Sequence, residues 1–340
     1  MKNATENPTD QIARDLLKAY LKRDQDDVLE QRLQELIIVT DRVHTPRTDG
    51  DRVGRLAECK ILALVGRSGA GKTRALERAF ANRPEFSGLH ELDAGCPLIS
   101  LKAPSPCTLK QLGIEVLKAL GYPLRRDPKE YEVWDMVRER LEMQGIRYLH
   151  IDEIQHVTAK ANRNRVQNIR DTFKALVQRR EWPVSLILSG TPDFVPFLEE
   201  DTQIKRRCLN VAFPDLNAEQ DHRWVLDRVR KLIEKKTPLV DVEQDLEIIT
   251  RLMHASEFQF GTLIEFVQDA ALKALDDGLD KLRMSHFADV YAIRTGCPDD
   301  ANVFASENWQ SIVVGSALQD VFSPSPMPPS FQKVRVERGR

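Results

Sequence analysis

The sequence predicts an α/β protein in which helices flank a parallel β-sheet, followed by a smaller domain built from helices alone. Short apolar runs alternate with stretches of helical periodicity as far as residue 213, as in parallel sheets whose strands are buried on both faces. The first run, Ile61 to Val65, leads into a glycine-rich segment. Beyond Pro214 the apolar residues recur only at helical spacing. These observations indicate two domains of different class.

Local apolar spacing predicts each element in turn. Two helices are expected between residues 10 and 38, followed by a loop over 44–54. The predicted strands are 61–65, 97–101, 148–151, 184–188 and 209–211. The predicted helices are 73–82, 108–120, 132–143 and 168–179 around the sheet, then 218–236, 243–254, 262–276 and 285–293.

The expected domain organisation follows from these elements. Its parts are an N-terminal helical segment (1–45), an α/β domain (46–214), a helical domain (215–295) and a Pro-rich tail with a basic end (296–340). The tail also contains an apolar cluster that could either dock a partner or pack back onto its own chain. Its members are Trp309, Ile312, Val313, Leu318, Val321 and Phe322.

Composition narrows the class of protein. Charged residues make up 30% of the 340, and no apolar run approaches the roughly 20 residues of a membrane helix. With no secretory signal at the start, we expect a soluble cytoplasmic protein without membrane contact. The five cysteines are scattered without metal-site spacing, which indicates reduced thiols. Because the net charge is only -2, nucleic-acid binding would need a local basic patch.

A phosphate-binding pattern follows the first predicted strand. The segment GRSGAGKT, Gly66 to Thr73, matches G-x-x-x-x-G-K-[ST] between a strand and a helix. Its amide groups and the helix start would face phosphate oxygens, Lys72 would reach the outer phosphates, and Thr73 would offer its hydroxyl to magnesium. A simple glycine-rich turn is the alternative, but chance produces the pattern in only about one such chain in a hundred. The predicted ATP-binding residues are Gly66, Arg67, Ser68, Gly69, Ala70, Gly71, Lys72, Thr73 and Arg74.

Two carboxylates follow the third predicted strand. The run Tyr148 to Glu153 places Asp152 and Glu153 at the end of an apolar strand. Asp152 would hold Mg²⁺ together with Thr73, and Glu153 would orient and deprotonate the water that attacks the γ-phosphate. Alone, such a pair could equally begin a solvated loop; together with the phosphate-binding loop it predicts hydrolysis of ATP.

Two further positions are catalytic candidates. Ser189 and Thr191 follow the fourth predicted strand, and Ser189 is the first choice of the two. Either hydroxyl could contact the attacking water or the γ-phosphate. Alternatively, either could hydrogen-bond to the backbone of its own turn. Arg206 and Arg207 precede the fifth strand and could reach the γ-phosphate of a neighbouring subunit. As an alternative, the two arginines pair with nearby surface acids.

The order of these motifs resembles the AAA+ superfamily of P-loop NTPases over about residues 40–295. Four segments also resemble the TniB/TnsC ATPases of transposition: HTPR at 44–47, GRSGAGKT at 66–73, HIDEIQHV at 150–157 and SGTPDF at 189–194. This resemblance implies a P-loop AAA+ fold, ATP and Mg²⁺ as cofactors, and a trans-acting arginine at Arg206 or Arg207. One element departs from the AAA+ pattern, because Gly261 is followed by Thr262, Leu263 and Ile264 and not by an arginine.

The resemblance also implies partners. Such ATPases form rings or helical filaments on duplex DNA without strong sequence preference, and they recruit and activate a DDE transposase, often with a TniQ-like adaptor. The segment 160–180 is rich in cations and holds one acid, Asp171. The predicted DNA contacts are Lys102, Lys110, Lys160, Arg163 and Arg165, with Arg170, Lys174, Arg179, Arg180, Arg125 and Arg126 nearby. A solvated helix face is the alternative interpretation.

The sequence thus predicts an oligomeric AAA+ ATPase that regulates transposition on DNA. The main alternative is a signalling or defence NTPase that scaffolds protein partners without binding DNA. A replicative loader or initiator is a third hypothesis, although such proteins normally carry an appended DNA-reading domain for which residues 296–340 are too short.

Overall fold

The computed structural model describes residues 8–45, 58–91, 94–158, 162–242 and 245–315. Most of the predicted loop at 44–54 and the candidate Lys160 lie outside these ranges. The chain divides into two compact units: residues 22–215 form one, and the residues up to Leu21 together with those from Leu216 onward form the other. None of the described helices combines the length and the apolar character that a membrane span requires.

The first unit is built on a parallel sheet. Its five described strands lie in the order β2-β3-β4-β1-β5, and every neighbouring pair is parallel. This confirms the predicted fold class. The strands are β1 (Ile61–Gly66), β2 (Leu98–Lys102), β3 (Tyr148–Asp152), β4 (Ser185–Gly190) and β5 (Cys208–Phe213). In this order β4 lies between β1 and β3, so its carboxyl end separates the two predicted motifs that follow those strands.

Helices cover both faces of the sheet. They are α2 (Asp24–His44), α3 (Lys72–Ala81), α4 (Leu109–Ala119), α5 (Glu130–Met143), α6 (Gln155–Thr158), α7 (Arg163–Val177), α8 (Val195–Glu199) and α9 (Thr202–Lys205). Every residue of β3 and β4 is buried, as expected for central strands. Phe173 of α7 and Leu188 of β4 are fully buried in the same core. The apolar strands therefore hold the polar residues at their carboxyl ends in fixed positions.

Two strands and one helix extend beyond their predicted polar ends, whereas the helix predicted from residue 218 begins at His222, four residues after its predicted start. β3 and β4 continue to Asp152 and Gly190, because neighbouring strands supply backbone partners. Helix α7 begins at Arg163, five residues before the predicted start. The side chain of Asn162 accepts a hydrogen bond from the amide of Arg165 and caps this first turn, which has few apolar residues.

The second unit is mainly helical. It contains α1 (Pro8–Leu17), α10 (His222–Lys236), α11 (Asp245–Ala255), α12 (Phe260–Asp276) and α13 (Met284–Thr295). One short parallel pairing joins β6 (Asp241–Val242) to β7 (Lys281–Leu282), which sequence analysis did not anticipate because two residues carry no periodicity. Leu263 and Ile264 are buried in this core, so their positions after Gly261 serve packing.

Two segments are grouped differently from the expected domains. Within residues 1–45, α1 belongs to the helical unit, where Leu16 is fully buried and its carbonyl accepts a hydrogen bond from Gln268, whereas α2 belongs to the α/β unit. The described part of the tail, up to residue 315, packs on its own helical unit. Phe304 is buried there, and the carbonyl of Ile312 lies 2.9 Å from Nε2 of His254.

Candidate functional site

The loop after β1 presents unpaired amide groups. Gly69 and Gly71 have φ values of 80° and 92°, in the left-handed region that favours glycine. Among the described residues, no acceptor pairs with the amides of Ser68, Gly69 or Gly71. Gly71 is the N-cap of α3, so these amides lie at the positive end of a helix dipole. The loop therefore has the features of an anion site for phosphate oxygens.

Lys72 lies inside this loop. Its ammonium group donates to the carbonyls of Gly66 at 2.8 Å and Arg67 at 2.9 Å, and the residue is only 7% exposed. Burial lowers the pKa of Lys72, while Glu153 and Asp152 act in the opposite direction. The two carbonyls hold the cation inside the glycine-rich loop.

The predicted magnesium ligands lie next to each other. Thr73, at the start of α3, donates its hydroxyl to Oδ2 of Asp152 at 2.8 Å, although 79 positions separate the two residues. Burial alone would raise the pKa of Asp152, but the hydrogen bonds from Ser189 and Thr73 outweigh it and hold that pKa below its ordinary value. An ionised carboxylate and a hydroxyl are the hard oxygen ligands that Mg²⁺ prefers, and the ion usually keeps several waters. Two such ligands fit magnesium.

A chain of hydrogen bonds reaches Asp152 from the sheet interior. Ser189 donates to Oδ1 of Asp152, and its hydroxyl oxygen lies 3.2 Å from Nε2 of His150. On the other side of the imidazole, Nδ1 of His150 lies 2.8 Å from the hydroxyl of Ser100. Desolvation by burial lowers the pKa of His150, which favours a neutral ring with one donor and one acceptor. A carboxylate only accepts, so the chain runs from Ser100 through Nδ1, Nε2 and Ser189 to Asp152.

Glu153 lies beside this site in an unusual backbone conformation. Its φ is 57°, a left-handed value for a residue with a side chain. The carboxylate accepts a hydrogen bond from Nε2 of Gln155 and lies 4.0 Å from the ammonium of Lys102. Glu153 and Asp152 therefore point from the same strand end but have different partners.

The two arginines before β5 differ in environment. Arg207 is 8% exposed, pairs with Glu58 at 2.6 Å and donates to the carbonyl of Gln203. Arg206 is exposed, and its side chain makes no hydrogen bond or ion pair with any described residue. Of the pair, Arg206 is the one whose guanidinium is available to another molecule.

The predicted basic patch is only partly available. Arg163 and Arg165 are exposed on the first turn of α7, and Lys102 is 68% exposed at the end of β2. Lys110 instead pairs with Asp127 at 2.6 Å. Three further cations are engaged within the unit, which removes them from a solvent-facing patch: Arg170 with Glu200, Lys174 with Asp171 and Asp201, and Arg179 with Glu142 and Glu181.

Two residues of the site, His150 and Gln155, are not among the candidates that the sequence predicts. A histidine within an otherwise apolar central strand was the available indication, because a buried polar group requires partners. The sequence indication for Gln155 was weaker, because a polar residue shortly after the acids at the end of a strand is also common on surfaces.

Comparisons with known proteins bear on the family and the fold of this chain. Residues 53–217 match the family model for the bacterial TniB protein, which confirms the TniB resemblance over this segment. Two similar structures are P-loop AAA+ ATPases. The ORC1 protein of Aeropyrum pernix in complex with DNA has a TM-score of 0.56 and 19% identity, over 85% of this chain and 70% of that chain. Cdc6p of Pyrobaculum aerophilum has a TM-score of 0.54 and 13% identity, over 85% and 75%.

These structural similarities show the AAA+ fold: a parallel sheet flanked by helices, with a helical region after it. The comparison with curated proteins gave no match.

Proposed function

We propose that this chain is an ATP-hydrolysing AAA+ regulator of transposition that assembles on duplex DNA and recruits a DDE transposase, with a TniQ-like adaptor as a further partner. The observation that carries the proposal is the Thr73–Asp152 contact beside Glu153 and the amide-lined loop, within the segment that matches the TniB family. A bound nucleotide would explain why these groups converge.

Each residue has a chemical task in this proposal. The amides of the loop hold phosphate oxygens, and Lys72 exchanges its two carbonyl partners for the outer phosphates. Thr73 and Asp152 hold the magnesium ion, which neutralises phosphate charge when it is bound. Glu153 holds the attacking water and accepts its proton, while Ser189 keeps Asp152 in place.

Oligomerisation would complete the site. Arg206 is exposed and has no described partner, so it can reach the nucleotide of a neighbouring subunit and stabilise the charge that develops during hydrolysis. In this arrangement ATP joins subunits and hydrolysis releases them. Arg207 supports the arginine-bearing loop through Glu58.

DNA would be bound through exposed cations. Arg163, Arg165 and Lys102 are available to phosphates, and such contacts depend on salt and not on base sequence. One protein that shares the fold was solved in complex with DNA.

A second candidate is an NTPase that scaffolds protein partners without binding DNA. The observation in its favour is that Arg170, Lys174 and Arg179 are engaged by acids of the same unit. The exposed patch is therefore smaller than the sequence predicted, and electrostatic attraction to DNA is correspondingly weaker.

The test is fluorescence anisotropy on random duplex DNA with ATP, ADP or no nucleotide, at two salt concentrations. Wild type is compared with Lys72→Ala and with Lys118→Ala, a control that removes an exposed lysine of α4 whose partner among the described residues is Glu115. ATP-dependent, salt-sensitive binding that is lost in Lys72→Ala and kept in Lys118→Ala supports the proposal. Nucleotide binding without DNA binding under any condition supports the scaffold.

A further inference from the structure

The backbone leaves the sheet abruptly at Glu153. The β3–β4 ladder ends with Ile151 opposite Leu188, and the amide of Ile154 then donates to the carbonyl of Ser189 at 3.0 Å. Glu153 lies between these two attachments with a φ of 57°. A left-handed conformation is unfavourable for a residue with a side chain, so neighbouring contacts must maintain it.

Gln155 links this kink to the end of β4. Its Nε2 donates to Oε2 of Glu153, and its Oε1 accepts from the amide of Thr191 at 3.2 Å. The orientation of the amide is determined by its partners, because a carboxylate only accepts and a backbone amide only donates. Gln155 is 9% exposed, so water competes little for either bond.

Gly190 provides the space that this link requires. A Cβ at Gly190 would lie 2.6 Å from Oε1 of Gln155 and 3.0 Å from Cγ2 of Ile154. The glycine therefore allows the glutamine side chain to lie against the end of β4. Glycine is needed at this position because a side chain would displace Gln155. A left-handed backbone is not the reason, since Gly190 is not among the residues with positive φ.

We propose that Gln155 is a positioning residue, which holds the carboxylate of Glu153 in a fixed position relative to the end of β4. The same strand end then holds both carboxylates, Asp152 directly through Ser189 and Glu153 through Gln155 and the Thr191 amide. A displacement of β4 by bound nucleotide would move the two carboxylates together. This inference rests on the proposed hydrolysis of ATP, because it assigns Glu153 as the group that holds the water.

The test compares steady-state hydrolysis with nucleotide affinity in the full chain. Gln155→Ala removes both bonds, whereas Gln155→Glu has nearly the same shape but replaces the donor by a like charge beside Glu153. The control Gln167→Ala removes a glutamine that makes the same kind of bond, to Asp171, on the exposed face of α7. We expect kcat to fall roughly 10- to 100-fold in both Gln155 variants, because a misplaced catalytic group costs that much, with nucleotide affinity and KM unchanged.

A double-mutant cycle tests the contact itself. Gly190→Ala forces the Gln155 side chain away, so it should lower kcat in the wild type but have little additional effect in the Gln155→Ala background. Additive losses overturn the proposal, as does a Gln155→Ala kcat equal to that of Gln167→Ala or a loss shared equally with nucleotide affinity. If Gln155→Ala unfolds, Gln155→Glu decides the question.

Failure of the proposed function can be distinguished from failure of the Gln155 proposal. A wild type that hydrolyses ATP without binding DNA leaves the Gln155 comparison intact and refutes only the DNA part of the proposed function. A wild type that binds nucleotide without hydrolysing it overturns both.

Discussion

Ser189 has one hydroxyl proton, and it uses this proton to donate a hydrogen bond to Asp152. The serine oxygen is also the acceptor for Nε2 of His150, so Ser189 cannot donate to a phosphate or a water without breaking this chain. The structure therefore favours a role in orienting Asp152, the predicted magnesium ligand, over direct contact with the γ-phosphate. Partners that orient a metal ligand are worth about 10- to 100-fold in metal affinity.

Replacing Ser189 by alanine should raise the Mg²⁺ concentration that nucleotide binding requires. We expect about a tenfold higher Mg²⁺ concentration for half-maximal nucleotide binding, because Asp152 loses a donor. A Mg²⁺ titration with a fluorescent ATP analogue measures this shift. Ser185→Ala is the matched control, since Ser185 is equally buried in β4 but bonds to Thr40. Equal Mg²⁺ curves for the two variants would count against the orienting role.

Substitutions of Arg206 and Arg207 should affect different properties, hydrolysis in one case and stability in the other. Arg206→Ala should leave the fold intact but lower hydrolysis about 1,000-fold, which is the lower value for a trans-acting arginine. Arg207→Ala should instead lower the free energy of unfolding by about 2 kcal/mol, because it removes charged hydrogen bonds to Glu58 and Gln203. Lys205→Ala, an exposed cation next to Arg206, is the control.

A mixing experiment distinguishes action in trans from action within one subunit. Lys72→Ala retains Arg206, and Arg206→Ala retains the phosphate-binding loop. If Arg206 acts on the neighbour, equal mixtures of the two inactive variants should recover hydrolysis at mixed interfaces. No recovery in mixtures that still co-assemble would refute the trans assignment.

At the level of residues, the sequence was most informative where the chemistry is local. The glycine-rich loop could be located from the sequence, because its glycines, Lys72 and Thr73 all lie within the eight residues 66–73. The choice between Arg206 and Arg207 could not, because it depends on Glu58, which is distant in sequence and contacts only one of them. Gln155 depends likewise on Thr191 and Gly190, brought next to it by the order of strands.

Helix α7 carries two kinds of cation, which the sequence does not distinguish. Arg163 and Arg165 are exposed in its first turn, whereas the guanidinium of Arg170 donates to the carbonyls of Pro196 and Phe197 and pairs with Glu200. Periodicity predicted the helix, but the buried position of Arg170 depends on the segment that contains α8. The element therefore combines a structural arginine with two candidate DNA contacts.

Substitutions in α7 should separate stability from DNA binding. Arg170→Ala should lower the free energy of unfolding of the α/β unit by about 2 kcal/mol, because two backbone carbonyls lose a charged donor. The Arg163→Ala, Arg165→Ala double variant should retain its unfolding midpoint. In anisotropy titrations it should bind DNA more weakly, with the salt slope reduced by about one for each arginine. Gln167→Ala should change neither quantity, and a double variant with wild-type DNA affinity would exclude these arginines from the interface.

At the level of elements, short apolar runs were sufficient to locate the five described strands of the sheet. The ends were less predictable, because they depend on partners. Asp152 and Gly190 extend their strands through backbone bonds with neighbours, and the start of α7 depends on capping by Asn162. The pairing of β6 with β7 involves only two residues each and could not be inferred from a pattern.

At the level of the whole molecule, linear order was a poor guide to the division of the chain. α1 and α2 are adjacent in sequence, yet Leu16 is buried in the core of the helical unit and Leu33 in the α/β unit. Both helices are amphipathic, and amphipathicity does not identify the surface that each one covers. Only the long-range contacts, such as Gln268 with Leu16, assign α1 to its unit.

The whole assembly should respond to the loss of Glu153 as a base. Glu153→Gln preserves shape and the acceptor for Gln155 but cannot take a proton from water, so hydrolysis should fall about 100- to 10,000-fold while ATP binding remains. If ATP joins subunits and hydrolysis releases them, assemblies of this variant on DNA should persist after excess ATP is removed, whereas wild-type assemblies dissociate. Light scattering or negative-stain microscopy after a nucleotide chase would measure this, with Glu85→Gln, an exposed acid of the same unit, as the control. Equal disassembly rates for Glu153→Gln and wild type would mean that release does not require hydrolysis, and ATP would then act only as a ligand that stabilises the assembled form.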